Sequence, residues 1–211
     1  MKTSTFLYYG GKVLFTIMYR VLFRLRIEGE DNIPLASGAI IAPNHSSYFD
    51  PPLVGVSLPR PLYFMAKAEL FKYPVFEFIL RRVNAFPVRR DLRDISAIKE
   101  ALSLLKSRRL LLVFPEGRRA KDNGIGEPEK GIGYLVKKSN APVIPALLVN
   151  TYKIKKRLLP ELTVRFGRPI IFKNMKSRQS PDKEFYLEVG KKILNEIKGL
   201  DREGQYQMGF R

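Results

Sequence analysis

Short apolar runs alternate with segments of helical period along most of this chain. The runs fall at 39–42, 62–66, 85–88, 110–114, 143–149 and 162–166, each of strand length. Between them the apolar positions recur every three or four residues. Asp50-Pro51-Pro52-Leu53-Val54 opens one helix, with Asp50 as the capping acid ahead of a proline in the first turn. A second helical pattern covers 70–80. A third covers 91–107, where Ile95, Ile98, Leu102 and Leu105 share a face and Asp94 is a good N-cap. A shorter pattern follows at 131–138. The last covers 181–198, with Phe185, Val189, Ile193 and Ile197 on one side and Gly199 as the stop. This alternation predicts an α/β fold, with a mostly parallel central sheet flanked by helices and functional groups gathered at the carboxyl ends of the strands.

The N-terminal segment follows a different pattern. As a helix, residues 5–26 place Leu7, Leu14, Met18, Val21 and Leu25 on one stripe, widened by Phe15 and Leu22, with Lys12, Arg20 and Arg24 on the opposite arc. The uncharged stretches between these cations are far shorter than the roughly 20 residues needed to span a bilayer. No small-residue cleavage site follows, so a signal peptide is a poor fit. A broad apolar face, three Tyr, three Phe and a cationic back predict an amphipathic helix at a membrane interface. The expected organisation is therefore a membrane-associating helical segment over 1–28 and an α/β domain over 29–211.

Charge and composition narrow the chemistry. Lys and Arg number 38 against 20 acids, a net charge of +18, which favours polyanionic partners such as an anionic lipid surface, an acidic carrier protein or nucleic acid. No RNP, GXXG or zinc-finger pattern supports the last. There is no cysteine, which excludes a thiolate nucleophile, a disulfide framework and a zinc-thiolate centre. With one histidine and no acidic cluster, no metal site is expected. Lys130-Gly131-Ile132-Gly133 lacks the G-x-x-x-x-G-K-[ST] spacing of a phosphate loop.

The single histidine lies in Pro43-Asn44-His45-Ser46-Ser47-Tyr48-Phe49-Asp50, directly after an apolar run. An imidazole can remove a proton near neutral pH, and a carboxylate beside it can hold the ring in the competent tautomer. Five positions do not share a face of one helix, so His45 and Asp50 meet only if a turn brings them together. No G-x-S-x-G elbow accompanies Ser46 or Ser47, so a serine nucleophile is not expected. Lys67, at the end of another strand, is a candidate phosphate contact. Three further blocks follow: Asn84-Ala85-Phe86-Pro87-Val88-Arg89-Arg90, a strand ending in cations; Phe114-Pro115-Glu116-Gly117-Arg118-Arg119, a strand ending in a tight charged turn; and Val143-Ile144-Pro145-Ala146-Leu147, an apolar strand interrupted by proline, which marks an irregularity or an edge.

In that order and spacing the four blocks, covering roughly 30–170, resemble the glycerolipid acyltransferase family, and within it the bacterial enzymes that acylate lysophosphatidic acid. The resemblance implies an enzyme that moves a fatty acyl chain from acyl carrier protein or coenzyme A to the sn-2 hydroxyl, giving phosphatidic acid. It needs no bound cofactor and works on the cytoplasmic face of the inner membrane. It makes His45 the general base and Asp50 its orienting partner. Arg90 falls on a phosphate-binding arginine. Glu116, Gly117 and Arg119 fall on the glycerol-phosphate block, and Pro145 on the block tied to the acyl donor or to shaping the site. Glu116 has a second reading, as a turn carboxylate accepting nearby amides. Two positions depart from the family pattern. Asn84 stands where glycine is common, and Arg118-Arg119-Ala120 replaces Thr-Arg-Ser, so that Arg89 and Arg118 are further phosphate candidates. A different lysophospholipid or glycerol-3-phosphate as acceptor, or a basic nucleic-acid-binding module, is the alternative.

Overall fold

The computed structural model describes residues 5–89, 94–120, 124–155, 159–172, 182–202 and 204. Seven strands form one sheet: β1 (Arg26–Glu28), β2 (Ala39–Pro43), β3 (Leu62–Lys67), β4 (Ala85–Val88), β5 (Leu110–Leu112), β6 (Val143–Val149) and β7 (Thr163–Phe166). Their order across the sheet is β1-β7-β6-β2-β5-β3-β4, and every pairing is parallel except β6 with β7. The sheet is thus mixed and mostly parallel, flanked by helices as the alternation predicts. The edge strand β1 is an addition, since three residues of mixed polarity carry no readable period.

Among the described residues six α-helices complete the fold: α1 (Thr5–Phe23), α2 (Asp50–Val56), α3 (Pro74–Arg82), α4 (Ile95–Lys106), α5 (Lys130–Ser139) and α6 (Asp182–Gly199). Asp94 caps α4 as expected, its side chain accepting the Ala97 N–H at 3.1 Å. Alternation within β2 feeds two cores. Ile40 and Ala42 pack with α4, α5 and α6, while Ala39 and Ile41 pack with α1 and α2. The chain runs outward from β2 to β3 and β4, then turns back to β5 and β6. Right-handed crossovers therefore put α2 and α3 on one face and α4 and α5 on the other. That reversal leaves the carboxyl ends of β2 and β5 side by side at mid-sheet.

Two local expectations are corrected. Asp50 is the first residue of α2, not its cap; the cap position is Phe49, and the Asp50 carboxylate points back into the preceding loop. Pro145 lies on an interior strand. Its ladder is nonetheless irregular: Val143 faces Ile170 while Ala146 faces Phe166, so three steps on β6 oppose four on β7 and the residues that follow it. This bulge accommodates a residue with no N–H to donate. The α1 stripe divides. Tyr19 and Phe23 enter the core with Met18 and Leu25 partly buried beside them, while Leu14, Phe15, Val21 and Leu22 are exposed. The side chain of Leu7 lies outside the described residues. Gly131 and Gly133 sit inside α5, and a Cβ on Gly133 would fall 2.4 Å from Tyr186 Cα, so glycine here permits α5 to touch α6.

Candidate active site

The loop that leaves β2 is held from its first residue. Buried Asn44 clamps β6, its Nδ2 donating to the Leu148 carbonyl at 3.3 Å and its Oδ1 accepting the Leu148 N–H at 2.7 Å. His45 follows. Its N–H donates to Glu116 Oε1 at 2.9 Å, its carbonyl accepts the Ala120 N–H at 2.8 Å, and its ring stacks on Phe114 with centroids 3.8 Å apart. Three independent contacts, all to the loop after β5, fix one imidazole.

The five-position spacing closes through a turn. Nδ1 of His45 lies 2.8 Å from Oδ2 of Asp50, which also accepts the N–H groups of Ser46 at 2.8 Å and Ser47 at 2.7 Å. Asp50 is fully buried, and the imidazole keeps 8% of its side-chain surface accessible. An oxygen collecting three N–H donors fixes the proton on Nδ1 and leaves the Nε2 lone pair available as a base. Both neighbouring hydroxyls have structural partners. Ser46 Oγ is 2.8 Å from Thr151 Oγ1, and Ser47 Oγ accepts the Phe49 N–H at 3.3 Å.

Glu116 is only 2% exposed. Besides His45, it accepts the Gly126 N–H at 2.8 Å on Oε2. Both oxygens are thus engaged by backbone amides, matching the turn-carboxylate reading. Burial pushes its pKa up to about 7 against the opposing pull of the Gly126 and His45 amides. Gly117 takes φ +64, and a Cβ there would meet Glu129 Cγ at 2.7 Å, so the turn needs glycine. Asn84 also takes a left-handed backbone, φ 63, which explains the departure from glycine: asparagine is among the few side chains that adopt this region readily.

The cationic residues line the same edge of the sheet but are dispersed. Arg119 is exposed, its guanidinium 3.6 Å from the centroid of the Tyr48 ring. Lys67 ends β3, exposed, with Nζ 3.8 Å from Glu69 Oε2. Arg89 leans on Asp94, Nε to Oδ2 at 4.0 Å. Arg90 lies outside the described residues. Pro145 sits within β6 opposite Ala42 of β2, its carbonyl accepting the Gly167 N–H at 2.8 Å. Among the described residues no group of three or more His, Cys, Asp or Glu is placed to hold a metal.

Sequence reasoning missed Tyr19. Fully buried, it donates from its hydroxyl to the Phe49 carbonyl at 3.0 Å, tying α1 to the residue before Asp50. Burial and the Asp50 charge both raise its pKa. A tyrosine amid the aromatic residues of the N-terminal segment carries no signal of this bond.

A buried carboxylate thus orients one imidazole at a strand end, on an edge of the sheet where Lys67 and Arg119 also lie. A family model described as Acyltransferase matches residues 24–149, and the chain belongs to that family. Its relatives include the 1-acyl-sn-glycerol-3-phosphate acyltransferase of Bacillus subtilis (strain 168), 32% identical over 58% of this chain and 61% of that protein. The protein of the same name from Streptococcus pneumoniae (strain ATCC BAA-255 / R6) is 30% identical over 78% of this chain and 60% of its own. The crystal structure of the 1-acyl-sn-glycerophosphate (LPA) acyltransferase PlsC from Thermotoga maritima is similar with a TM-score of 0.65 at 27% identity, covering 90% of this chain and 88% of that one. The chain spans about three fifths of the length of these two curated relatives.

Proposed function

We propose that the protein transfers a fatty acyl chain from an acyl thioester, acyl carrier protein or coenzyme A, to the sn-2 hydroxyl of lysophosphatidic acid, forming phosphatidic acid. Nε2 of His45 takes the hydroxyl proton as the oxygen attacks the thioester carbonyl. Asp50 stabilises the imidazolium through Nδ1. The tetrahedral intermediate expels the thiolate, which takes the proton from His45, leaving an ester and a free thiol. Every proton passes through His45, so no step calls for a resident cofactor. Arg119, Arg90 and Lys67 bind the acceptor phosphate, for which a guanidinium fork offers paired hydrogen bonds. Glu116 and Gly117 shape the loop that presents Arg119, and Pro145 shapes β6 behind it. The single observation that carries the reading is the 2.8 Å contact between His45 and Asp50 at the carboxyl end of β2.

No helix among the described residues is long and apolar enough to cross a membrane. We place α1 on the surface of an anionic bilayer, its exposed Leu14, Phe15, Val21 and Leu22 in one leaflet. Acceptor and product are lipids, which suits work at a membrane surface, and we assign it to the cytoplasmic face of the inner membrane. Purified protein given labelled acyl-acyl carrier protein or acyl-coenzyme A and a panel of lysolipids tests the reaction, with products identified by mass. Phosphatidic acid from lysophosphatidic acid is the expected product; preferential acylation of glycerol-3-phosphate or a neutral lysolipid would refute the acceptor. Leu14→Asp with Val21→Asp, both at exposed positions, is expected to abolish flotation with anionic vesicles while leaving the fold intact.

A further inference from the structure

Nineteen large apolar side chains stay exposed among the described residues, and they are not scattered. Seven belong to α1, two to the His45 loop, and six to the stretch after β3: Leu70, Tyr73, Val75, Phe76, Phe78 and Ile79. Those last six have no part in the proposed reaction. α3 is unlike the helices that cover the sheet, because none of its nine residues is buried. Val75 is 70% exposed, and Phe76, Phe78 and Ile79 are each at least half exposed. An apolar surface of this kind is a contact surface for something.

Charge identifies the partner. Lys67, Lys72, Arg81 and Arg82 surround the patch against two acids, Glu69 and Glu77, each already beside a cation at 3.8 and 2.8 Å. The Arg82 guanidinium sits 3.2 Å from the Phe78 ring centroid. Long cations over aromatic rings, with net positive charge, suit the boundary between acyl chains and anionic headgroups. A second copy of the chain would instead bring like charges together. The right-handed crossover from β3 to β4 puts α3 on the same face of the sheet as α1, and Tyr19 ties α1 to the His45 loop.

We infer that Ala68–Arg82 is a second bilayer contact, which together with α1 brackets the His45 loop so that the loop opens onto an anionic lipid surface. The inferred contact deepens the interfacial reading of α1 and rests on it for which side of the molecule meets lipid. Acceptor lipid then reaches the imidazole by lateral movement, without leaving the leaflet.

The chain has no tryptophan, so single substitutions report without background. Phe76→Trp reads α3, Val13→Trp reads α1, and Ile95→Trp, exposed on the far face, is the control. Each is mixed with vesicles of phosphatidylcholine and phosphatidylglycerol carrying brominated acyl chains. The α3 and α1 probes should shift to the blue and be quenched, and the Ile95 probe should not. Adding Lys72→Glu, Arg81→Glu and Arg82→Glu to Phe76→Trp should weaken vesicle binding by at least about tenfold. A quenched α1 probe with an unquenched α3 probe overturns the second contact and leaves α1 in place. If neither is quenched, both interfacial assignments fall, while acyl transfer to a water-soluble short-chain acceptor remains a separate measurement of the reaction. Equal quenching in pure phosphatidylcholine overturns the anionic assignment. A blue shift that grows with protein concentration and needs no vesicles overturns the lipid assignment in favour of self-association.

Discussion

The backbone N–H of His45 donates to Glu116 at 2.9 Å, so the loop after β5 holds the loop after β2 in place. Seventy-one positions separate the two residues, and the pairing of β2 with β5 brings them together. The imidazole is therefore held by two carboxylates with different tasks. Asp50 sets the tautomer and Glu116 sets the backbone.

In the proposed reaction the imidazole is the base. His45→Ala should lower acyl transfer by at least about a thousandfold, and Asp50→Asn by roughly a hundred to ten thousandfold, because the amide no longer holds the Nδ1–H tautomer. Thermal melts followed by circular dichroism should show both variants folded. Near wild-type turnover in either would contradict the assignment of the pair.

Glu116 confers a pH dependence of known sign. Its folded pKa of about 7 exceeds the unfolded value of 4.5, so between these values the folded chain holds more of the proton than the unfolded chain. Stability from this group is therefore fully present below pH 4.5 and declines as pH rises towards 7, by up to about 3 kcal/mol. Glu116→Gln should flatten that part of the melting-temperature profile. It should also cost about 1–3 kcal/mol, because its NH2 group faces an amide N–H. Parallel wild-type and variant profiles would show that the carboxyl does not titrate there.

In the proposed reaction Arg119 reads acceptor charge. Arg119→Ala should raise KM for lysophosphatidic acid by roughly tenfold or more, with a much smaller effect on a neutral lysolipid. Equal losses on the two acceptors would assign Arg119 to the Tyr48 contact alone.

Tyr19 couples the N-terminal helix to the site. Tyr19→Phe deletes the hydroxyl bound to the Phe49 carbonyl, which should destabilise the fold by about 0.5–1.5 kcal/mol. As a positioning change it should lower kcat with little change in KM. The opposite pattern would place the hydroxyl in substrate binding.

Asn84 tests the backbone explanation of its departure from the family pattern. Asn84→Gly should be tolerated, while Asn84→Val should lose about 1–2 kcal/mol because a branched side chain opposes positive φ. Denaturant titration of both variants measures the difference.

Much of the fold was legible in order along the chain. Among the described residues, six of the seven strands and all six α-helices coincide with apolar runs or helical periods, because burial against a sheet selects residues at spacings of two and of three or four. Asp94 was readable as a cap because that role depends only on neighbours within one turn. Asp50 was misread as a cap from the same local logic, since the donors that claim its carboxylate precede it. The split of the α1 stripe was not legible either: which apolar side chains of a helix meet the core depends on where the helix docks, and Tyr19 and Phe23 outcompete Leu14 and Val21 for that contact.

By itself the order of residues determined the α/β class, the four blocks, the lone imidazole and the surplus of positive charge, all of which follow from composition and short-range spacing. Only the tertiary structure decided that Asp50 reaches His45 through a turn, that Glu116 binds backbone amides, that Asn84 stands in for glycine by adopting its conformation, and that α3 leaves its apolar side chains uncovered. These are outcomes of long-range strand pairing and of competition for buried positions, which no local window of the chain contains.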